Sequence, residues 1–257
     1  MILNSRRSGS GPPLIVLHGL FGSADNWRSV AARLATRVTT VTPDLRNHGD
    51  SPHADSMSYR EMAGDVGDTL DELEIDAAHL LGHSMGGKVA MQFALDSPRR
   101  TLSLVVVDIA PRRYPAHHRQ ILRAMAELDS AQARSREQAD SFLADYIENQ
   151  MVRAFLLKSV AAGKDGVYRW KLNADAIIRN YDTISDWPQQ SVVYRGAALL
   201  LRGSSSDYVD NQDLDAARRW FPALQQQQID GAGHWVHAER RDQFCDAVIR
   251  FLDSTTR

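Results

Sequence analysis

The stretch Ala78-His79-Leu80-Leu81-Gly82-His83-Ser84-Met85-Gly86-Gly87-Lys88 decides the fold. Ala78 to Gly82 is a short apolar run that reads as a strand. Met85 to Leu95 reads as a helix that ends before Pro98. Between them, Gly82-His83-Ser84-Met85-Gly86 matches the G-x-S-x-G pattern of a nucleophile elbow. Small residues flank serines often, so the pattern alone is only moderately specific. A strand before it and a helix after it supply the setting the elbow requires. The need is steric: the serine sits on a strained turn that exposes its hydroxyl, and glycines on either side let neighbouring backbone pass closely. The helix opening after Ser84 also aims backbone N–H groups at developing negative charge. His83 adjoins the serine, but its side chain is expected to point away, as a packing or hydrogen-bonding residue.

Outward from the elbow, short apolar runs alternate with amphipathic ones. Leu14 to Leu17 reads as a buried strand, and Trp27 to Ala35 as a helix with Asp25 or Asn26 near its cap. Val38 to Thr42 is a strand stopped by Pro43. Tyr59 to Leu73 is a helix carrying Met62, Val66, Leu70 and Leu73 on one face. Leu102 to Val107 is a further strand. This winding predicts an α/β fold, with a mostly parallel, twisted sheet and helices on both faces. From Arg112 to about Gln190 no buried strand is evident, only amphipathic helical segments and a turn at Gly163 to Gly166. The sheet pattern resumes at Ala197 to Leu201. A helix follows near Leu214 to Trp220, a short strand near Gln226 to Ile229, and a last helix from Arg241 to Leu252. The expected organisation is a core of residues 1–110 and 191–257 with a helical cap, 112–190, inserted into it.

Composition narrows the function classes. The chain has 257 residues, 43% of them hydrophobic, enough for a sizeable core. A net charge of -2 gives no reason to expect a nucleic-acid binder. The single cysteine, Cys245, allows no internal disulfide and suits a reducing compartment. No run reaches the roughly 18 apolar residues of a membrane span, and no apolar stretch follows Arg6 and Arg7 before Pro12. The expected location is therefore cytoplasmic. No Gly-rich phosphate loop or metal-ligand cluster appears, so neither a cofactor nor a metal is expected.

A serine nucleophile needs a base, and histidine has the suitable pKa. Of nine histidines, His234 stands out: Gly231-Ala232-Gly233-His234-Trp235 follows the last strand and precedes the last helix. His237 lies at or beyond the helix start and reads as structural. His117 and His118 fall in the cap and are expected to face solvent. Two residues compete as the acid that holds the histidine tautomer. Asp108 ends the run Leu104-Val105-Val106-Val107, and Asp207 follows Gly203-Ser204-Ser205-Ser206. Two backbone N–H groups should meet the oxyanion. One is that of Met85, after the nucleophile. The other is that of Leu20, in His18-Gly19-Leu20-Phe21-Gly22. His18 fits loop packing better than catalysis.

Taken together, several stretches resemble the YbfF-type esterases and their mitochondrial relatives. They are His18-Gly19-Leu20-Phe21-Gly22-Ser23, Asp44-Leu45-Arg46-Asn47-His48-Gly49, the elbow through Lys88, Val107-Asp108-Ile109-Ala110-Pro111, Gly231 to Ala238, and Tyr168-Arg169-Trp170-Lys171-Leu172-Asn173. The resemblance spans most of the chain and implies the α/β-hydrolase fold. It also implies that the Asp of Asp-Ile-Ala-Pro, here Asp108, is the acid in preference to Asp207. The implied activity is hydrolysis of short acyl esters, and in some relatives of acyl-CoA thioesters. Asp50 stands where the family often has a basic residue, which bears on the site entrance. The segment before Pro12 looks short for the family's opening hairpin.

The expected chemistry is a two-step acyl transfer with Ser84, His234 and Asp108 as triad and Leu20 and Met85 as oxyanion donors. A small-molecule acyl ester or thioester, of short to medium chain, is the expected partner. The same triad also serves cofactor-free C–C hydrolases and perhydrolases, and a non-catalytic ligand-binding protein is a third class. Ser84 argues against the aspartate-nucleophile dehalogenases and epoxide hydrolases. Phe142, Tyr146, Phe155, Trp170 and Tyr181 are candidates to line an acyl pocket, although packing within the cap is their expected role.

Overall fold

Strand runs that are apolar on successive residues must be covered on both faces, as a parallel sheet flanked by helices provides. The computed structural model, which describes residues 1–255, has such a sheet. The chain opens with β1 (Ser5–Ser8), β2 (Pro13–Leu17), α1 (Arg28–Leu34) and β3 (Thr39–Pro43). Next come α2 (Tyr59–Glu72), β4 (Ala78–His83), α3 (Met85–Asp96) and β5 (Thr101–Val107). The intervening segment carries α4 (Arg119–Glu127), α5 (Arg136–Ala144), α6 (Gln150–Leu156), β6 (Val160–Ala162), β7 (Tyr168–Trp170) and α7 (Ala174–Ser185). The sheet is completed by β8 (Ala198–Gly203) and β9 (Leu224–Ile229), with α8 (Asn211–Ala217) between them. Short α9 (Val236–Glu239) and α10 (Arg241–Thr255) close the chain.

The strand order is β1-β3-β2-β4-β5-β8-β9. Only β1 runs antiparallel; β2, β3, β4, β5, β8 and β9 are parallel. The side chains of β5 show the consequence. Leu104 and Val106 enter the core shared with α2, α3 and the inserted segment, whereas Val105 and Val107 enter the core under α1 and α10. Leu17 is registered with Gly82, His83 with Val107, Val107 with Leu201, and Gly203 with Ile229. The ends of five strands therefore share one rim, where the candidate site residues lie.

Three sequence expectations need correction. The opening segment is long enough to form β1, which pairs Ser5 to Ser8 against Pro43 to Thr40. Its side chains are mostly exposed, so it carries no apolar signal. The segment 112–190 is not purely helical, because β6 and β7 form a hairpin around the Gly163–Gly166 turn. Each has only three residues and neither is fully buried, too little for a two-residue period to register. The helix expected from Trp27 is entered through a tighter helical turn, Ala24–Trp27, whose N-cap is Ser23 and whose Asn26 Oδ1 accepts the Ser23 N–H, so the cap falls earlier than the sequence suggests.

Glycine is required where α3 meets the sheet. A Cβ on Gly82 would lie 2.1 Å from the carbonyl oxygen of Gly86, and one on Gly86 would lie 2.5 Å from those of both Leu17 and His18. Gly64, inside α2, has nothing within 4 Å of its Cβ position. Gly86→Ala should therefore cost about 1–3 kcal/mol of stability by forcing backbone apart. Gly64→Ala should gain about 0.4–1 kcal/mol, chiefly by restricting the unfolded chain. Urea unfolding of the two variants checks this opposite pair of signs.

Candidate active site

Ser84 occupies the turn between β4 and α3 with φ 53° and ψ -121°. A serine enters this region only when its surroundings hold it. Its N–H donates to the Val107 carbonyl at 3.0 Å, and its own carbonyl accepts from Gly87 and Lys88 at 2.8 and 3.1 Å. The loop after β2 packs directly against it: a Cβ on Gly19 would come within 3.3 Å of Ser84 Cβ. His83 points elsewhere. Its Nε2 donates to the His234 carbonyl at 2.9 Å, which fastens the last loop to the elbow.

Asp108, at the end of β5, also has positive φ, at 52°, and is fully buried. A buried carboxylate is costly unless its oxygens are satisfied. Here Oδ1 accepts the Gly203 N–H at 3.2 Å. Oδ2 accepts both the Ser206 hydroxyl and His234 Nδ1–H, the latter at 2.8 Å. Burial pushes the Asp108 carboxyl up and the His234 imidazole down. The imidazole is thus neutral near pH 7, with Nδ1–H committed to Asp108 and Nε2 free to accept a proton. Tyr208 stacks on the ring, with centroids 3.7 Å apart and planes 19° apart. Asp207, the other acid candidate, is exposed on the bend after β8 and acts on the pair only through its charge.

Met85 is the first residue of α3, where helical N–H groups have no intrahelical acceptor. The direction of the Leu20 N–H follows from its peptide plane. The Gly19 carbonyl accepts from His18 Nδ1 at 2.9 Å and from the Gly22 N–H at 3.0 Å. In a trans peptide the N–H opposes the carbonyl, so the Leu20 N–H turns away from both. His18 is otherwise occupied, with Nε2 accepting the Leu45 N–H at 2.9 Å.

Ser84 opens on two spaces. A cavity of about 540 Å³ is lined by Leu20, Ser84, Val152, Phe155, His234 and Trp235 among others. A recess of about 40 Å³ is lined by Leu20, Ser84, Met85, Ile109, Tyr114 and Tyr181 among others. Of the aromatic candidates, Phe155 lines the cavity and Tyr181 the recess. Phe142 and Tyr146 pack on each other instead, and Trp170 packs against the core. His118 does not face solvent: it lines both spaces and its Nδ1 bonds the Tyr181 hydroxyl at 2.9 Å. Burial pushes it down to about 4. His237 stacks on Trp27 with centroids 4.2 Å apart. Asp50 lies outside both linings and pairs with Lys171 at 3.2 Å. Among the described residues no cluster of three His, Cys, Asp or Glu side chains could hold a metal ion. No helix among them is long and apolar enough to cross a membrane.

Sequence reasoning missed Ser206, Tyr208 and Lys88. The first two flank Asp207 in a loop already marked as a strand end, which was the available signal. Lys88 lies one turn beyond Ser84 and is almost fully buried. Its Nζ donates to the carbonyls of Arg112, Ser185 and Asp186 at 2.9, 3.2 and 2.8 Å, drawing together both ends of the inserted segment. The rings of Tyr59 and Tyr114 face the ammonium, and burial lowers its pKa to about 7.

A family model described as the alpha/beta hydrolase fold matches residues 12–240. The chain is 37% identical to esterase YbfF of Escherichia coli (strain K12), over 94% of this chain and 93% of that one. It is 36% identical to an sn-1-specific diacylglycerol lipase of Xenopus laevis, over 95% of this chain and 80% of the lipase. A solved marine microorganism esterase superposes with a TM-score of 0.94 at 39% identity, covering 97% of this chain and 99% of that one. The chain belongs to the α/β-hydrolase family and, within it, to the YbfF-type esterases. It is a serine hydrolase of the esterase and lipase class.

Burial penalises imidazolium at His234, so the Asp108–His234 pair should take up its first proton below the 6.5 of free imidazole. Nitrogen-15 NMR of the imidazole across pH 4 to 9 reads this directly. First protonation above pH 7 would contradict it.

Proposed function

We propose that this hydrolase is a serine carboxylesterase or thioesterase acting through an acyl-enzyme, with Ser84 as nucleophile, His234 as general base and Asp108 as its partner. The observation that carries the reading is the 2.8 Å bond from His234 Nδ1 to buried Asp108, with His234 and Ser84 lining one cavity. His234 Nε2 takes the hydroxyl proton as Ser84 Oγ attacks the carbonyl carbon. The N–H groups of Leu20 and Met85 receive the oxyanion. Collapse breaks the bond to the leaving group, which takes the proton from His234. Water, deprotonated by His234, then attacks the acyl carbon; the bond to Ser84 Oγ breaks, Oγ takes the proton back from His234, and the acid leaves. In this reading residues 112–190 form a cap over the core, and the chemistry requires no cofactor. A cytoplasmic place of action goes with a single, buried cysteine.

The two spaces support a division of the substrate into two halves. A leaving group must lie where His234 can protonate it, on the side of the 540 Å³ cavity. The acyl substituent then faces the 40 Å³ recess beside Met85, which has room for only a few carbons. The substrate class is thus a short acyl group on a bulky alcohol or thiol. The esterase and lipase names of the relatives support an acyl ester.

A fluorophosphonate probe should label the folded protein at Ser84 and leave Ser84→Ala unlabelled. Failure to label Ser84 sinks the serine mechanism. Asp108→Asn should lower turnover by roughly 10⁴-fold, as in other triads, and Asp207→Asn by far less. The reverse order would move the acid to Asp207. Across p-nitrophenyl esters and acyl-CoAs of graded length, kcat/KM should peak at the short acyl groups. A peak at long chains would reverse the assignment of the two spaces.

A further inference from the structure

Phe21 follows the proposed oxyanion donor Leu20 and sits at φ 65°, a conformation that a bulky side chain does not adopt unaided. Two residues remote in sequence hold it there. His48 Nε2 accepts the Phe21 N–H at 3.2 Å, and the Ser159 hydroxyl donates to the Phe21 carbonyl at 2.8 Å. All three side chains are buried. The His48 tautomer is defined, because Nδ1 donates to the Arg46 carbonyl at 3.0 Å and leaves Nε2 as acceptor. Burial lowers His48 to about 3, so it remains an acceptor at neutral pH.

These bonds complete a pattern. The Gly19–Leu20 peptide plane is held by His18, the Leu20–Phe21 plane by His48, and the Phe21–Gly22 plane by Ser159. Ser159 comes from the inserted segment, immediately before β6. The same segment also grips the loop that carries His48. The Asn173 N–H donates to the Asn47 carbonyl at 2.9 Å, and Asn173 Nδ2 to Asn47 Oδ1 at 3.1 Å. The inserted segment therefore reaches the donor loop both directly and through a second loop.

We propose that Ser159 and His48 are positioning residues that fix the two peptide planes around Phe21, so that the inserted segment buttresses the loop whose Leu20 N–H is aimed at the oxyanion. This inference rests on the serine-hydrolase reading above. It concerns transition-state stabilisation rather than substrate binding. Loss of Ser159 should therefore lower kcat and leave KM nearly unchanged.

The test compares wild type, Ser159→Ala and Ser159→Thr on one short-chain ester, with inhibition by a trifluoromethyl ketone that forms an oxyanion on Ser84. Removal of a whole oxyanion donor costs about 10²–10³ in kcat, and a donor left loosely aimed should cost about 10-fold. Ser159→Ala should weaken the ketone by the same factor as kcat/KM, and Ser159→Thr, which keeps the hydroxyl, should recover most of the loss. If Ser159→Ala changes only KM, or leaves ketone affinity within about twofold, the inference is overturned. If Ser159→Ala does not fold, His48→Gln against His48→Leu decides: the glutamine can still accept the Phe21 N–H and should bind the ketone more tightly than the leucine variant. Equal affinity in that pair also overturns the inference. Hydrolysis that survives in Ser84→Ala would instead remove the serine mechanism itself.

Discussion

The site depends first on a steric constraint, the closeness of α3 to the ends of β2 and β4. Gly82 and Gly86 lie where a methyl group would meet carbonyl oxygens at 2.1 and 2.5 Å. A Cβ on Gly87 would strike Ile109 Cγ2 at 2.6 Å. With hydrogen atoms at these positions the helix can begin directly after Ser84. The serine then takes its positive φ at the start of α3, whose first N–H groups have no intrahelical acceptor. A helix standing further off would relax the turn and separate the hydroxyl from those donors.

Burial supplies the second level of order. Asp108 has no exposed surface, and its oxygens are satisfied by Gly203, Ser206 and His234. The histidines around the rim are held neutral by the same exclusion of water. Burial pushes His18, His48, His83 and His237 down, as it does His234. A neutral imidazole is one donor and one acceptor, and His18 and His48 each use both on backbone groups. Burial thus leaves each imidazole neutral, with both nitrogens of His18 and His48 on backbone groups and His234 Nδ1–H on Asp108.

The inserted segment is bound to this rim at both ends and in its middle. Lys88, on the elbow helix, holds the carbonyls of Arg112 and of Ser185 and Asp186. Its three N–H donors match three carbonyl acceptors, which offsets the cost of burying an ammonium without a carboxylate partner. Ser159 and Asn173 hold the loops beside β2 and β3. The segment that walls the cavity is consequently also part of the frame that shapes it.

The sequence by itself determined the parallel α/β architecture, because runs such as Leu104 to Val107 are apolar on both faces and cannot lie at a water-facing surface. It also singled out Ser84, His234 and the two acid candidates, since each follows a strand and strand ends in such a sheet share one rim. The spacing of residues left both Asp108 and Asp207 open as the acid, and family resemblance chose Asp108. Tertiary structure decided what depends on partners distant in the chain. Ser206 and Tyr208 meet Asp108 and His234 across the rim, Ser159 reaches Phe21 across 138 positions, and Lys88 spans 98 positions to Asp186. Local patterns encode strands, helices and the turn at Ser84 because short-range sterics and periodicity fix them. Which carboxylate is buried against the imidazole, and which hydroxyl holds the loop after β2, follow only when the strands have paired and the segment between β5 and β8 has packed.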